Sequence, residues 1–373
     1  MKDLQERIPL ARPEITDADI AAVNAVLQTP YLSGGPQLAA FESSIAQYVG
    51  IEHAVAVNSG TSALHLALRC FGFQPGDEVV VPSFAFAAVG NVLLQEQLVP
   101  VFADIDAATF NVEPGSVVRA IGPRTKAILF VHTFGIPADV HALLELSKER
   151  RLILIEDASE ALGSSIAGKR VGGFGDVGIF AFYPNKMVTT GEGGMVVTRN
   201  AEVAAHCRRL RNQGRLTSDE WYQQVEVGFS YRLSDVNCAL GVSQVSRIDE
   251  TIRLRKQLSG WYRERLLKLR QVELVCEKPG EEIGWFTYPV KLAEGYSQRE
   301  RDRLWSELNQ AGIGCARYFA PLHKQPVMHG RSKSQPLPLT ESVAARTFQL
   351  PFFNQLDESQ VELICKRVGA LLA

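Results

Sequence analysis

From about residue 40 to residue 200, short apolar runs alternate with amphipathic stretches, and this rhythm restricts the fold more than any other feature of the chain. His53–Asn58, Glu78–Val81, Val99–Ala103, Ala127–His132 and Leu152–Glu156 read as strands; Thr61–Phe71, Ala87–Glu96 and Ala138–Arg150 read as helices. Strands alternating with helices call for a mostly parallel sheet with helices on both faces, an α/β architecture. Ala127–Val131 and Leu152–Ile155 are apolar throughout, as burial on both sides of such a sheet requires. In open sheets of this kind ligands sit beyond the carboxyl ends of the strands. The residues that follow each apolar run are therefore the ones to inspect for chemistry.

Further along, Ser243–Lys268 reads as one long charged helix, Trp285–Leu292 as a strand, Gln298–Ala311 as a helix and Cys315–Phe319 as a strand. These predict a smaller C-terminal α+β domain. The division expected is a large domain over 1–245, with an N-terminal arm over about 1–40, and a small domain over 246–373. A proline-rich passage (Pro321, Pro326, Pro336, Pro338, Pro351) reads as an ordered loop wrapping a surface, or as a linker. A terminal helix starts at Asp357, where Asp357 and Glu358 suit the positive end of the helix dipole.

Composition removes several classes of function. With 39 basic and 41 acidic residues, no whole-chain field draws the protein to nucleic acid or an anionic membrane. The charged opening Met1-Lys2-Asp3 and the lack of a bilayer-length apolar run point to a cytoplasmic protein. Six cysteines without a Cys-x-x-Cys argue against zinc, an iron–sulfur cluster or a disulfide framework, and read as reduced, mostly buried apolar residues.

Four segments at predicted strand ends carry polar chemistry. Asn58-Ser59-Gly60-Thr61 turns from strand to helix, where free N–H groups and the dipole suit a phosphate, although Ser59 or Thr61 would cap any helix in the same way. Glu156-Asp157-Ala158-Ser159-Glu160 places carboxylates at the sheet edge. Asp157 there either pairs with a cation such as a pyridinium nitrogen or caps a following helix. Gly178–Lys186 is an apolar strand ending in a proline turn that presents Lys186, directly before Thr189-Thr190-Gly191-Glu192-Gly193-Gly194. That glycine-dense bend allows close approach to a ligand or makes a hairpin turn. Val227–Asp235 is an aromatic and polar loop, or a helix entry capped by Ser234 or Asp235.

In order and spacing these segments resemble the DegT/DnrJ-type sugar aminotransferases, fold-type I enzymes dependent on pyridoxal phosphate (PLP). The resemblance runs from Pro9 to the Leu350–Asn354 segment; its most specific pieces are Phe182-Tyr183-Pro184-Asn185-Lys186 with the glycine bend, and Glu156–Gly163. It implies that Lys186 holds PLP as a Schiff base, that Asp157 pairs with the pyridinium, that Gly60 and Thr61 hold the phosphate, that Phe86 stacks on the ring, and that Glu160 lies beside the cofactor. It also implies a homodimer with shared active sites, in which Ser230 and the residues up to Asp235 serve the other subunit. Members of the family often carry Ser at the position of Ala181 and Asn at Ser230, so phosphate contacts must be redistributed here.

The reaction implied moves an amino group from L-glutamate, leaving 2-oxoglutarate, to a nucleotide-linked keto-sugar. Tyr183, Asn185, Arg232 and His323 are the candidate sugar or diphosphate contacts, although Tyr183 and His323 could instead be packed, hydrogen-bonded residues. The Ala181-Tyr183-Asn185 variant with Glu160 is similar to members acting at C4 of a 4-keto-6-deoxy sugar, including perosamine-forming ones. Related dehydratases replace the lysine with histidine, and Lys186 speaks against that activity. An aminocyclitol ketone, an aromatic precursor or a non-catalytic regulatory protein on the same fold are the alternatives.

Overall fold

The computed structural model describes residues 7–216 and 223–373. Seven main strands, β1 (His53–Val57), β2 (Glu78–Pro82), β3 (Val99–Ala103), β4 (Thr125–Val131), β5 (Ile153–Asp157), β6 (Val177–Ala181) and β7 (Gly194–Thr198), lie in the order β1-β7-β6-β5-β4-β2-β3. β3, β2, β4, β5 and β6 run parallel, and β7 is antiparallel to both of its neighbours. The expected α/β fold with a mostly parallel sheet is therefore present.

Alternation along the strands decides which helix each face receives. Ile128, Phe130 and Leu154 pack with Phe41 and Ile45 of the helix Pro36–Val49. Leu129 and Ile155 point the other way, into a cluster with Leu64 and Leu66 of the helix Gly60–Cys70. Each of these fully buried side chains contributes about 1.5–3 kcal/mol of hydrophobic stabilisation. By the same alternation Glu156 and Asp157, the last two residues of β5, leave on opposite faces.

The C-terminal part builds a third cluster from Tyr262, Tyr288, Phe348 and Phe352, and this packs on Phe84, Phe110 and Phe134 from the loops beyond the main sheet. Its sheet joins Val272–Glu273, Tyr288–Leu292 and Thr347–Leu350, all antiparallel. The helix Glu358–Leu372 begins as expected, with Asp357 and Gln360 forming a capping box.

Two expectations need correction, and one open choice is decided. The long charged helix is two helices, Asp235–Ser246 and Ile248–Leu266, parted at Arg247. The Arg247 guanidinium reaches Glu14 and Asp19 of the N-terminal segment at 3.0 and 2.6 Å, while the sequence pattern continues unbroken on either side. Cys315–Phe319 forms only an isolated bridge, Ala316 to Gln349. There Trp305 and Asn309 side chains take the Cys315 carbonyl, and the Gln349 side chain takes the Tyr318 N–H, so backbone groups a strand partner would use are already bonded. The proline passage is ordered: Lys333–Ser334 adds a parallel edge strand beside β3, and Pro338 opens the helix Pro338–Arg346.

All six cysteines are free. Cys276 is exposed, Cys70 half-buried and the other four buried, and Cys70 meets Cys207 at 3.1 Å despite their distance in sequence. No helix among the described residues is long and apolar enough to cross a membrane.

Candidate active site

A cavity of about 470 Å³ opens beyond the carboxyl ends of β1, β2, β5 and β6, and segments far apart in sequence meet in it: Gly60–Thr61, Phe86, Asp157–Glu160, Ala181–Lys186 and Phe286.

Lys186 arrives on the bend that joins the antiparallel neighbours β6 and β7, so the hairpin and ligand-facing readings of that bend both hold. Phe182 and Gly193 pair across it, the Thr190 N–H returns to the Phe182 carbonyl, and the Lys186 N–H closes a turn on the Tyr183 carbonyl at 2.9 Å. Gly191 sits at φ +79°, a conformation costly for residues with a Cβ. The Lys186 side chain is 15% exposed; its Nζ lies 3.4 Å from Glu160 Oε1 and 4.3 Å from the centre of the Phe286 ring.

Asp157 ends β5 facing the helix Gly60–Cys70. No helix follows it, which removes the capping alternative; its Oδ1 accepts the Ser159 N–H of the next turn at 3.0 Å. Burial pushes its carboxyl up from the ordinary range, opposed by the Ser159 bonds and the Lys186 charge. Glu160 is raised for the same reason, countered by Lys186, and its Oε2 accepts the Phe134 N–H at 2.9 Å.

Glu156, on the opposite face, is drawn down. Burial raises it, but bonds from His132 and from the N–H groups of Gly172 and Gly175 more than offset that cost. Since His132 Nδ1 accepts the Ala138 N–H, its proton sits on Nε2, which donates to Glu156 at 2.9 Å. This buried pair fixes the strand that carries Asp157.

At the helix start, capping and cavity duties are divided. Ser59 caps by accepting the Ser62 N–H, and Thr61 is exposed to the cavity. A Cβ on Gly60 would lie 2.6 Å from the Ala181 Cβ, so glycine is required for backbone N–H groups to stay open beside β6. Phe86 presents a ring that is 63% exposed, and Tyr183 is half-exposed. Asn185 Oδ1 is buried and meets no hydrogen-bond partner.

Of the sequence candidates, Gly60, Thr61, Phe86, Asp157, Glu160, Tyr183, Asn185 and Lys186 line this one cavity. His323 does not. Its Nδ1 pairs with Ser83 at 2.6 Å and its Nε2 with Glu341 at 3.3 Å, which turns the ring away and favours the packed reading. Ser230 and Arg232 bond each other and Asn212 on an exposed stretch outside their own chain's cavity. Sequence reasoning missed Phe286 and Phe319, wall residues supplied by the C-terminal part. The Trp285-Phe286 pair was visible only as the start of a predicted strand.

Parallel strands converging on a lysine, a buried carboxylate and a glycine-walled helix start define the class of a PLP-type aminotransferase. Residues 13–369 match the DegT/DnrJ/EryC1/StrS aminotransferase family, and the chain belongs to that family. It is 36% identical to the GDP-perosamine synthase of Caulobacter vibrioides, with all of both chains covered. Among solved structures it is similar to the aminotransferase TlmJ from Streptoalloteichus hindustanus (TM-score 0.92, 31% identity, 98% of each chain). It is also similar to Helicobacter pylori PseC, an aminotransferase involved in the biosynthesis of pseudoaminic acid (TM-score 0.94, 26% identity, 98% of this chain and 99% of that one). Aminotransferases of this family depend on PLP, and the residues present fit that group. A buried carboxylate answers a pyridinium, an exposed phenyl face answers an aromatic ring, and open backbone N–H groups answer a phosphate.

Proposed function

We propose that this chain holds PLP at Lys186 and transfers an amino group from L-glutamate to a nucleotide-linked keto-sugar, giving an amino sugar for polysaccharide, O-antigen or natural-product biosynthesis. One observation carries the reading: Lys186, on the bend after β6, and Asp157, at the end of β5, meet in a cavity with the Gly60–Thr61 helix start and the exposed Phe86 ring. When bound, PLP supplies an electron sink for the bond broken at the amino-bearing carbon.

The chain's own residues do the rest. Asp157, short of cationic partners, would hold a positive ring nitrogen and keep its proton. Gly60 and Thr61 would fix the phosphate, with the Thr61 hydroxyl doing part of what Ala181 cannot. The Lys186 amine would carry the cofactor, then accept and return the proton of the amino-bearing carbon. Asn185 Oδ1, an acceptor without a donor, would take a substrate hydroxyl.

The likeness to GDP-perosamine synthase supports a GDP-linked sugar with its ketone at C4. The assembly proposed is a homodimer with shared sites, in a cytoplasmic setting. The test is spectroscopic and chemical. Purified protein with PLP should be yellow, lose that colour on adding L-glutamate and release 2-oxoglutarate, and a panel of GDP-, UDP- and dTDP-linked keto-sugars should identify the acceptor. Full turnover by Lys186→Ala would overturn the lysine assignment, turnover only with a 3-keto sugar the ketone position, and turnover only with a cyclitol ketone the sugar. A colourless preparation that PLP cannot restore would favour a non-catalytic protein.

A further inference from the structure

A lysine that carries a cofactor must spend part of each cycle released. Free in a cavity with largely apolar walls, its ammonium would be poorly solvated and costly unless something on the wall receives it. We propose that Glu160 and Phe286 form a cage for the Lys186 ammonium, the place where that amine rests when it is not joined to the cofactor. This rests on the assignment of Lys186 as the cofactor lysine.

The cage has two walls of different chemistry, each held without help from the lysine. Glu160 Oε1 faces Nζ at 3.4 Å, while Oε2 is tied to the Phe134 N–H at 2.9 Å, so the carboxylate cannot swing away when the amine leaves. The Phe286 ring faces Nζ at 4.3 Å and is 4% exposed. Its backbone is clamped by buried Arg255, whose Nη1 donates to the carbonyls of Trp285 and Phe286 at 3.1 and 3.2 Å and whose Nε donates to Asn354. A carboxylate and the negative face of a ring on one ammonium both favour its charged form.

The other titratable groups on the cavity walls are Asp157, Glu192, Tyr183 and Tyr318. Asp157 also attracts the ammonium, but in the assigned chemistry its charge is taken by the ring nitrogen. Glu192 is exposed to solvent, which leaves Glu160 as the buried carboxylate available to Lys186 throughout the cycle. Burial raises the Glu160 carboxyl, and the Lys186 charge opposes that rise. Glu160 and Phe286 are positioning residues in this scheme: they act through Lys186.

The experiment separates this proposal from the assignment beneath it. Reduction of the PLP-loaded full chain with borohydride, followed by peptide mass spectrometry, should find the cofactor on Lys186; absence of that adduct ends the assignment itself. The cofactor-free full chain is then trace-acetylated across a pH series, and the midpoint of Lys186 labelling is compared with its other lysines. Both variants should lower that midpoint, Glu160→Gln by about one unit and Phe286→Leu by about half a unit. Phe286→Tyr, which keeps the ring, should restore it. With the adduct present, a midpoint that moves in neither variant reduces the arrangement to packing. One that moves only in Glu160→Gln leaves a lone counter-ion. Either result overturns the cage.

Discussion

Replacing Glu156 with Gln is close to isosteric, yet it should be among the most destabilising single changes in the large sheet. Glu156 and its partner His132 are both fully buried, and the two carboxylate oxygens accept four hydrogen bonds. Oε1 takes His132 Nε2–H and the Gly172 N–H, and Oε2 takes the N–H groups of Phe174 and Gly175. A glutamine has one acceptor oxygen, so whichever way its amide is turned, two of the four donors face an NH₂ group. Moving the histidine proton to Nδ1 would only shift the conflict to the Ala138 N–H. With each buried unmet donor costing about 1–3 kcal/mol, the loss should be about 3–5 kcal/mol, similar to breaking a buried pair by removing one partner.

Urea unfolding of the cofactor-free chain, monitored in both directions, reads this difference. The pH dependence provides a second check. Because the folded carboxyl lies below its ordinary value, its contribution is fully present above the unfolded carboxylate range and is lost as pH falls through the folded value. The gap between the two proteins should therefore narrow in acid. A gap below about 1 kcal/mol at neutral pH, or one that stays constant into acid, would refute the reasoning.

Gly60→Ala should weaken PLP binding at least about tenfold, a penalty of about 1.4 kcal/mol, because its Cβ would meet Ala181 at 2.6 Å; adding Ala181→Gly should recover part of the loss in a fluorescence titration. For Asp157 the sign is opposite to Glu156: with its folded carboxyl raised by burial, the cofactor-free chain should lose stability as pH rises from the unfolded carboxylate value through the folded one. Melting curves should show that slope shrink in Asp157→Asn, with Glu160, also raised by burial, supplying the remainder, and diminish when PLP supplies a cation. If sites are shared, inactive Lys186→Ala and Arg232→Ala chains mixed as statistical dimers should regain about a quarter of the sites, measured as turnover; no recovery would refute sharing through Arg232. His323→Ala should cost about 1 kcal/mol of stability through Ser83 and Glu341, with kcat/KM nearly unchanged.

The parallel sheet was legible because strands such as Leu152–Glu156 are apolar on both faces and bounded by helices; register could shift by a residue, but the element could not be mistaken. The Lys186 bend was legible because glycine density and a proline turn leave a local signature. What escaped notice depends on contacts distant in sequence. Arg247 breaks a helix because Glu14 and Asp19 lie within reach of its guanidinium, information held more than two hundred positions away. Cys315–Phe319 has the composition of a strand, but the side chains of Trp305, Asn309 and Gln349 occupy its backbone groups. Phe286 has no motif at all: its role comes from where Arg255 holds its backbone.

The charge of the cavity is the strongest constraint on what completes it. Among the described residues that line it, Lys186 is the one cationic side chain, set against Asp157, Glu160 and Glu192. The proposed reaction would bring in a cofactor phosphate, a nucleotide diphosphate and a dicarboxylic amino acid, all anionic. Backbone N–H groups at Gly60 and Thr61 can answer the phosphate, but one helix start cannot balance the rest. Arg232 lies exposed with its guanidinium on Asn212 and Ser230, outside its own chain's cavity, where a second copy could bring it to bear. The half of the site that a single chain builds is thus suited to holding and moving a proton at one amine. Discrimination among anionic sugars would fall to groups contributed from elsewhere in the assembly, and for this reason the nucleotide is the least legible part of the sequence.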